Sequence, residues 1–156
     1  MTAADTVSIR RARQYHAGTL SAICRRSKAH WGYPEHYLEL WADSLTVEPS
    51  FIADNPVYAA VGGDGRPLGF YGLSGSGPTL ELDYLFVDPP AIGRGIGGRL
   101  LRHAAWVCRR SGARRLWIVA DPNAESFYRH MGARRRGEEN SVPRGRKLPV
   151  LALACR

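Results

Sequence analysis

The sequence predicts a single α/β domain of the α+β kind, with a mixed, mostly antiparallel sheet flanked by helices. Three observations predict it. Short apolar runs at residues 57–61, 68–73 and 80–87 are separated by the turn signals Gly62-Gly63-Asp64-Gly65 and Ser74-Gly75-Ser76-Gly77-Pro78, which is the pattern of an antiparallel meander. Stretches with apolar residues at helical spacing stand before and after that meander. The chain has 156 residues, 44% hydrophobic and 23% charged, enough for one core and typical of a globular protein in water.

Taken in order, residues 6–11 alternate and read as a first strand. Residues 16–27 put Ala17, Leu20, Ile23 and Cys24 on one helical face, and Gly32-Tyr33-Pro34 interrupts them. Residues 35–45 read as a second helix with Tyr37, Leu38, Trp41 and Leu45 on one side. The meander follows. Beyond it, Ile96, Leu100, Leu101, Ala104 and Val107 mark a helix ending near Ser111-Gly112. Residues 116–120 are a short apolar strand. Asp121-Pro122-Asn123 then leads into a helix with Ala124, Phe127, Tyr128 and Met131 on one face, stopped by Gly132. A basic, polar segment and a loop over residues 141–149 precede a last apolar strand at 150–154. The order is β-α-α-β-β-β-α-β-α-β-β, with no repeat, linker or low-complexity tract spanning residues 1–156.

Several function classes are disfavoured. No run of about 18 apolar residues exists, which argues against a membrane span. Residues 1–6 lack the apolar core of a signal peptide, so a cytoplasmic location is expected. Cys24, Cys108 and Cys155 are scattered and form no CxxC pair, and the five histidines show no ligand spacing, so neither a disulfide framework nor a metal site is expected. The formal net charge of +8 favours anionic partners. Its arginines come in small groups without a basic-aromatic stripe, which argues against a nucleic-acid surface and for solvated faces.

The most telling stretch runs from Leu80 to Leu101. A strand, Leu80-Glu81-Leu82-Asp83-Tyr84-Leu85-Phe86-Val87, passes through Asp88-Pro89-Pro90-Ala91-Ile92 into Gly93-Arg94-Gly95-Ile96-Gly97-Gly98-Arg99, which opens an amphipathic helix. Free N–H groups and the helix dipole make such a start an anion site, and glycines let a pyrophosphate come close to the backbone. Gly93, Gly95 and Gly98 also satisfy G-x-G-x-x-G. A dinucleotide fold is nevertheless a poor match. Its turn follows the strand at once and opens the first βαβ unit, with an acidic residue about 20 positions on. Here residues 88–92 intervene, a meander comes first, and Asp121 lies 28 positions after Gly93.

The same stretch resembles the acyl-CoA-binding motif of the GNAT superfamily of N-acetyltransferases. The strand end Leu85-Phe86-Val87, the loop Asp88-Pro89, the turn Gly95-Ile96-Gly97 and the helix residues Leu100-Leu101 carry the likeness. Asn123, Ala124, Phe127-Tyr128 and Met131-Gly132-Ala133 are similar to the second family signature, in the family's order and spacing. One position departs: Ile92 stands where Arg or Gln is usual, leaving Arg94 or Arg99 to supply a charged contact. The resemblance implies a sheet splayed between the central strand and its parallel neighbour at residues 116–120, with acetyl-CoA as co-substrate. It implies that the main chain of Leu85, Phe86 and Val87 meets pantetheine, Leu85 and Val87 above all. The pyrophosphate would lie on Gly93, Arg94, Gly95, Ile96, Gly97, Gly98 and Arg99, with Asn123 as a further contact or only a helix cap. It admits a homodimer, which no sequence feature specifies.

Acetyl transfer to an amine needs a base, because an amine of pKa near 10 is mostly charged at pH 7. Glu81 and Asp83, at i and i+2 of one strand, share a face, and mutual repulsion would raise one pKa. The family resemblance puts a base at these positions, Glu81 the first choice and Asp83 close behind. Alternatively they are wetted strand carboxylates. Tyr128 matches the family tyrosine that faces the CoA sulfur and would act as general acid; otherwise it is a core tyrosine. No Cys or Ser stands beside a His, so direct attack in a ternary complex is expected. Trp31, Tyr33 and Tyr37, with Trp41, are candidates for one wall of the acceptor site. Arg144, Arg146 and Lys147 point instead to an acidic acceptor, or only to a solvated hairpin. The acceptor itself, a small-molecule or peptide amine, is not specified.

Overall fold

The computed structural model describes residues 6–156. The signal-peptide reading, made on residues 1–6, therefore falls mostly on residues 1–5, outside the described residues. The chain forms β1 (Ser8–Arg11), α1 (Ala17–His30), α2 (Glu35–Leu40), α3 (Pro49–Asp54), β2 (Val57–Val61), β3 (Pro67–Ser74), β4 (Thr79–Val87), α4 (Ile96–Arg110), β5 (Arg115–Val119), α5 (Glu125–His130), β6 (Arg134–Asn140) and β7 (Lys147–Ala154). The seven strands lie in the order β1-β2-β3-β4-β5-β7-β6. The sheet is mostly antiparallel; β4 and β5 pair in parallel over three positions, Thr79 with Arg115, Leu80 with Leu116 and Glu81 with Trp117.

Contacts group the chain into two compact units, residues up to Gly72 with Tyr84–Leu101, and Leu73–Asp83 with Arg102–Arg156. In the first, β1 and β3 flank β2 antiparallel. Leu20, Ile23, Leu45, Ile52, Val57 and Phe70 are buried in one cluster, against which Tyr84 and Phe86 pack. In the second, β5 and β6 both pair antiparallel with β7. Leu80, Leu82, Leu116, Ile118, Val150 and Leu151 are its main buried aliphatics.

The structure corrects three element assignments. The helix read at residues 35–45 stops at Leu40. Trp41 to Leu45 continue as turns, with Leu45 N–H on the Trp41 carbonyl at 3.0 Å. A helix that the sequence reading lacked, α3, follows; Pro49 opens it, where a missing N–H costs nothing. The last two strands of the predicted order are β6 and β7, but the loop read at 141–149 is shorter, because β7 starts at Lys147, where it pairs with β6. All seven β6 residues are exposed, so no apolar period marked it.

Ser21 ties α1 to the segment before α3. Its hydroxyl donates to the Ala17 carbonyl at 2.8 Å and accepts from Val47 N–H at 2.8 Å. Ser21 is 5% exposed. Cys108 and Cys155 meet at the start of β5. Cys108 Sγ donates to the Arg115 carbonyl at 3.6 Å, Cys155 N–H donates to that of Arg114 at 2.8 Å, and the thiols hydrogen-bond each other. All three cysteines are free. Burial raises each thiol pKa, that of Cys24 to about 12, so they stay protonated at neutral pH. No helix among the described residues is long and apolar enough to cross a membrane.

Removing the Ser21 hydroxyl strands a buried N–H. Ser21→Ala is expected to lower unfolding stability by roughly 1–3 kcal/mol, read as the midpoint shift in urea denaturation. A shift of zero would mean that Val47 N–H finds another acceptor.

Candidate active site

The site residues lie on both units and are described for each. In the first, β4 ends at Val87 and the chain turns at Asp88. Arg26 on α1 grips the Asp88 carboxylate with two bonds, Nε to Oδ1 at 2.8 Å and Nη2 to Oδ2 at 2.9 Å. The Asp88 N–H donates to the Leu68 carbonyl at 2.8 Å. Asp88 is thus fixed by side chain and main chain together. A short 3-10 turn, Pro89–Ala91, follows, and Ala91 is buried.

Gly93 and Gly95 then take φ of +88° and +77°. That region is closed to residues with a Cβ except at a cost of about 1–2 kcal/mol. Nothing lies within 4 Å of where either Cβ would stand, so dihedral freedom is what the glycines supply. Ile96 opens α4 and is buried, which anchors the turn to the core. Arg99 N–H bonds the Gly95 carbonyl at 3.2 Å. The N–H groups of Ile96, Gly97 and Gly98 precede the first intrahelical bond and have no helix carbonyl to meet. Arg94 and Arg99 are exposed beside them, as is Ile92. Backbone donors, a helix N-terminus and two guanidiniums suit a pyrophosphate.

On β4, Tyr84 and Phe86 turn into the core, where Phe86 stacks on Phe70 at 6.1 Å. The side chain of Phe86 is thereby committed to packing. Leu85 and Val87, on the other face, are half-buried. Of the four aromatics read as an acceptor wall, Tyr33, Tyr37 and Trp41 pack together, with ring centroids 4.8 to 6.5 Å apart. The Lys28 ammonium sits over Tyr33 at 5.6 Å and Trp41 at 5.1 Å. Trp31 stands apart, 46% exposed, its ring 5.7 Å from that of His30. A cavity of about 550 Å³ opens nearer the α2–α3 connection, lined in part by Phe51 and Tyr84. These rings meet edge to face at 5.2 Å. A Cβ at Gly72 would stand 3.0 Å from one and 3.1 Å from the other. Sequence reasoning missed this cavity because α3, which carries Phe51, was not legible.

In the second unit, Leu80 and Leu82 are buried and Glu81 and Asp83 exposed, as the period of a strand requires. Asp83 has a raised pKa, because its carboxyl is partly desolvated; a hydrogen bond from Ser74 opposes the rise and the Glu81 charge adds to it. Tyr128 is buried on α5, and desolvation, then the Asp121 charge, pushes its phenol pKa up. Asp121, not Asn123, caps the turn before α5, accepting from Asn123 N–H at 2.8 Å. The Asn123 side-chain amide also donates to Asp121 at 2.9 Å. Arg146 reaches Asp121 at 3.5 Å.

The acetyltransferase (GNAT) family profile matches residues 20–133. The chain belongs to the GNAT family. It is an N-acetyltransferase. It is 30% identical over 148 residues to a peptidyl-lysine N-acetyltransferase, YjaB, of Salmonella typhimurium, covering 94% of this chain and 97% of that one. It is 41% identical over 85 residues to the streptothricin acetyltransferase of Streptomyces lavendulae, covering 51% and 45%. The PaiA N-acetyltransferase of Thermoplasma acidophilum, solved with coenzyme A, shares the fold with a TM-score of 0.82 at 21% identity, over 96% of this chain and 99% of that one.

In this GNAT protein the turn depends on a backbone that only glycine adopts cheaply. Gly95→Ala is expected to raise the dissociation constant for coenzyme A at least tenfold by calorimetry. Arg26→Ala should raise it more modestly, about threefold, and cost roughly 1 kcal/mol of stability. Unchanged affinity in Gly95→Ala would remove the turn from the binding site.

Proposed function

We propose that this acetyltransferase moves the acetyl group of acetyl-CoA to a primary amine by direct attack in a ternary complex, within one catalytic domain working in the cytoplasm. The observation that carries the reading is the carboxylate pair on β4, with the Asp83 pKa raised from its ordinary value, chiefly by partial burial. Deprotonating an alkyl ammonium at pH 7 costs about 4 kcal/mol, at roughly 1.4 kcal/mol for each unit between pH 7 and a pKa near 10. A carboxylate of raised pKa narrows that gap for proton transfer. We assign the base to Asp83, with Glu81 as the charge that tunes it.

The amine nitrogen, once neutral, attacks the thioester carbonyl carbon. The proton that Asp83 took from the ammonium is released to solvent; the C–N bond forms, the C–S bond breaks, and the amine's second proton passes through the freed Asp83 carboxylate to the leaving sulfur. Tyr128 stays protonated throughout, since its phenol pKa is raised. Full transfer from it to a thiolate of pKa near 8.5 is therefore uphill. Its role is to donate a hydrogen bond as charge grows on sulfur, with the proton that leaves the amine completing the thiol. The Leu85 and Val87 main chain and the Gly93–Gly98 turn with Arg94 and Arg99 are the proposed holders of pantetheine and pyrophosphate, with Asn123 kept oriented by Asp121. The relatives' names, peptidyl-lysine and streptothricin acetyltransferases, support an amine acceptor that is cationic at neutral pH.

The base must be ionised, so kcat/KM falls as pH drops through the raised Asp83 pKa. Asp83→Asn is expected to lose that limb and at least 100-fold in kcat/KM. Glu81→Gln should move the limb to lower pH, because it removes a charge that raises Asp83. An unmoved limb in both variants rules out the pair. Tyr128→Phe should lower kcat by roughly 10- to 100-fold with coenzyme A affinity within threefold; full activity ends that assignment.

A second consequence concerns stability. Asp83 binds its proton more tightly folded than unfolded, so stability falls as pH rises from about 4 through the raised folded value. Asp83→Asn should therefore raise Tm at pH 7, and the gain should vanish below about pH 4. Calorimetric scans at the two pH values check both the sign and the window.

A further inference from the structure

Cys108 and Cys155 have no part in the acetyl transfer proposed above, yet both belong to the second unit and the fold brings them to one place. Cys108 stands near the end of α4, shortly before the chain reverses at Gly112 and enters β5. Cys155 follows β7 directly. The antiparallel ladder sets Ala154 opposite Arg115, so Cys155 comes level with Arg114 and donates its N–H to that carbonyl at 2.8 Å. The Cys108 thiol donates to the next carbonyl, that of Arg115, at 3.6 Å. Two consecutive carbonyls at the start of β5 thus position the two cysteines, and their thiols are in hydrogen-bonding contact.

The third cysteine is placed differently. Cys24 is fully buried in the core cluster of the first unit, among apolar side chains such as Leu20 and Ile23. Cys108 is also buried, but Cys155 is only half-buried, so a small oxidant can reach it from solvent. Burial keeps both thiols of the pair protonated at neutral pH, so neither is a fast nucleophile. Proximity is what sets the pair apart. A thiol held against a neighbouring sulfur captures the first oxidation product there before a second oxidant molecule arrives.

We propose that Cys108 and Cys155 are an oxidisable pair that a peroxide closes to an intramolecular disulfide, clamping the end of α4 to the end of β7. In the first step a peroxide oxygen bonds to Cys155 Sγ as the O–O bond breaks; the thiol proton goes to the leaving oxygen, which departs as water. In the second step Cys108 Sγ attacks the sulfenic sulfur. The S–S bond forms, the S–O bond breaks, and the Cys108 proton leaves with the hydroxyl as a second water. Two thiols give two electrons to one peroxide. The loop so closed runs over residues 109–154 and holds β5, α5, β6 and β7. A cross-link across a loop of that length removes conformational freedom from the unfolded chain, so the oxidised form is the more stable one.

The test treats the folded full chain with hydrogen peroxide, unfolds it in urea with excess N-ethylmaleimide and no reductant, and measures its mass. The reduced protein takes three labels, one for each cysteine. The oxidised protein should take one, on Cys24, and be lighter by about 2 Da apart from the missing labels. Peptide mapping should find Cys108 joined to Cys155, and dithiothreitol should restore all three labels. Cys108→Ser should abolish the bond and let Cys155 advance to the sulfinic acid. Cys155→Ser, at the half-buried position, should also abolish it and serves if Cys108→Ser fails to fold. The urea midpoint of the oxidised wild-type chain should rise by about 1 M over the reduced one. Three labels after peroxide, a bond that includes Cys24 or joins two chains, or sulfinic acid on wild-type Cys155 in place of the bond overturns the pair. An unchanged or lowered midpoint in a chain carrying the bond overturns the clamp.

Discussion

The arrangement of the site rests on the two-residue period of β4. Burying Leu80 and Leu82 forces Glu81 and Asp83 outward on the opposite face. A slip of one residue would exchange the two sets. Exposing two leucines would forfeit about 1.5–3 kcal/mol each, and burying two unpaired carboxylates would cost more. The packing of β4 therefore specifies the face on which its chemistry stands. The same period, carried on to Tyr84 and Phe86, sends their rings into the first unit's core. Leu85 and Val87 remain half-buried, with side chains that leave the main chain beside them approachable.

The exit from β4 is constrained as tightly as the strand. Arg26 and the Leu68 carbonyl fix Asp88 from two directions, and Ile96 anchors the far end in the core. Between these anchors the chain must reverse in a few residues, and Gly93 and Gly95 do so at positive φ. Anchored ends with a glycine-rich interior give a loop whose donors are preset. A ligand that binds there need not supply the entropy of ordering it. Ile92 would matter less at the proposed anion site than its side chain suggests, because the contacts proposed there are backbone groups and a helix N-terminus.

Much of this was legible in the sequence because it rests on local periodicity and turn chemistry. The meander, the Gly93–Gly98 turn, the facing of Glu81 and Asp83 and the start of α4 all follow from residues that are neighbours in the chain. What was not legible depends on partners distant in sequence. β6 carries no apolar period, so only its pairing with β7 fixes its bounds. Helix α3 is six residues long, too short for a periodic signal, although Pro49 marks its start. The bond of Arg26 to Asp88 has no local signal, because the two stand 62 positions apart. Trp31, Tyr33 and Tyr37 read as one wall, yet only the two tyrosines pack together, around Trp41 and Lys28. A lysine already over those rings is the partner that composition invited an external cation to be.

The distribution of charge bears on the proposed co-substrate. The turn that opens α4 has Arg94 and Arg99 beside bare backbone donors, while residues 29–65 hold six acidic residues and no Lys or Arg. A net charge of +8 attracts an anion to the whole surface without selecting a place on it. At physiological salt a field is screened over about 8 Å, so selection falls to the groups within that distance. At the α4 turn those groups are N–H donors at fixed positions and two guanidiniums, whereas the long-range charge only speeds encounter. The proposed pyrophosphate site would therefore owe its place to the turn and its on-rate to the arginine-rich remainder.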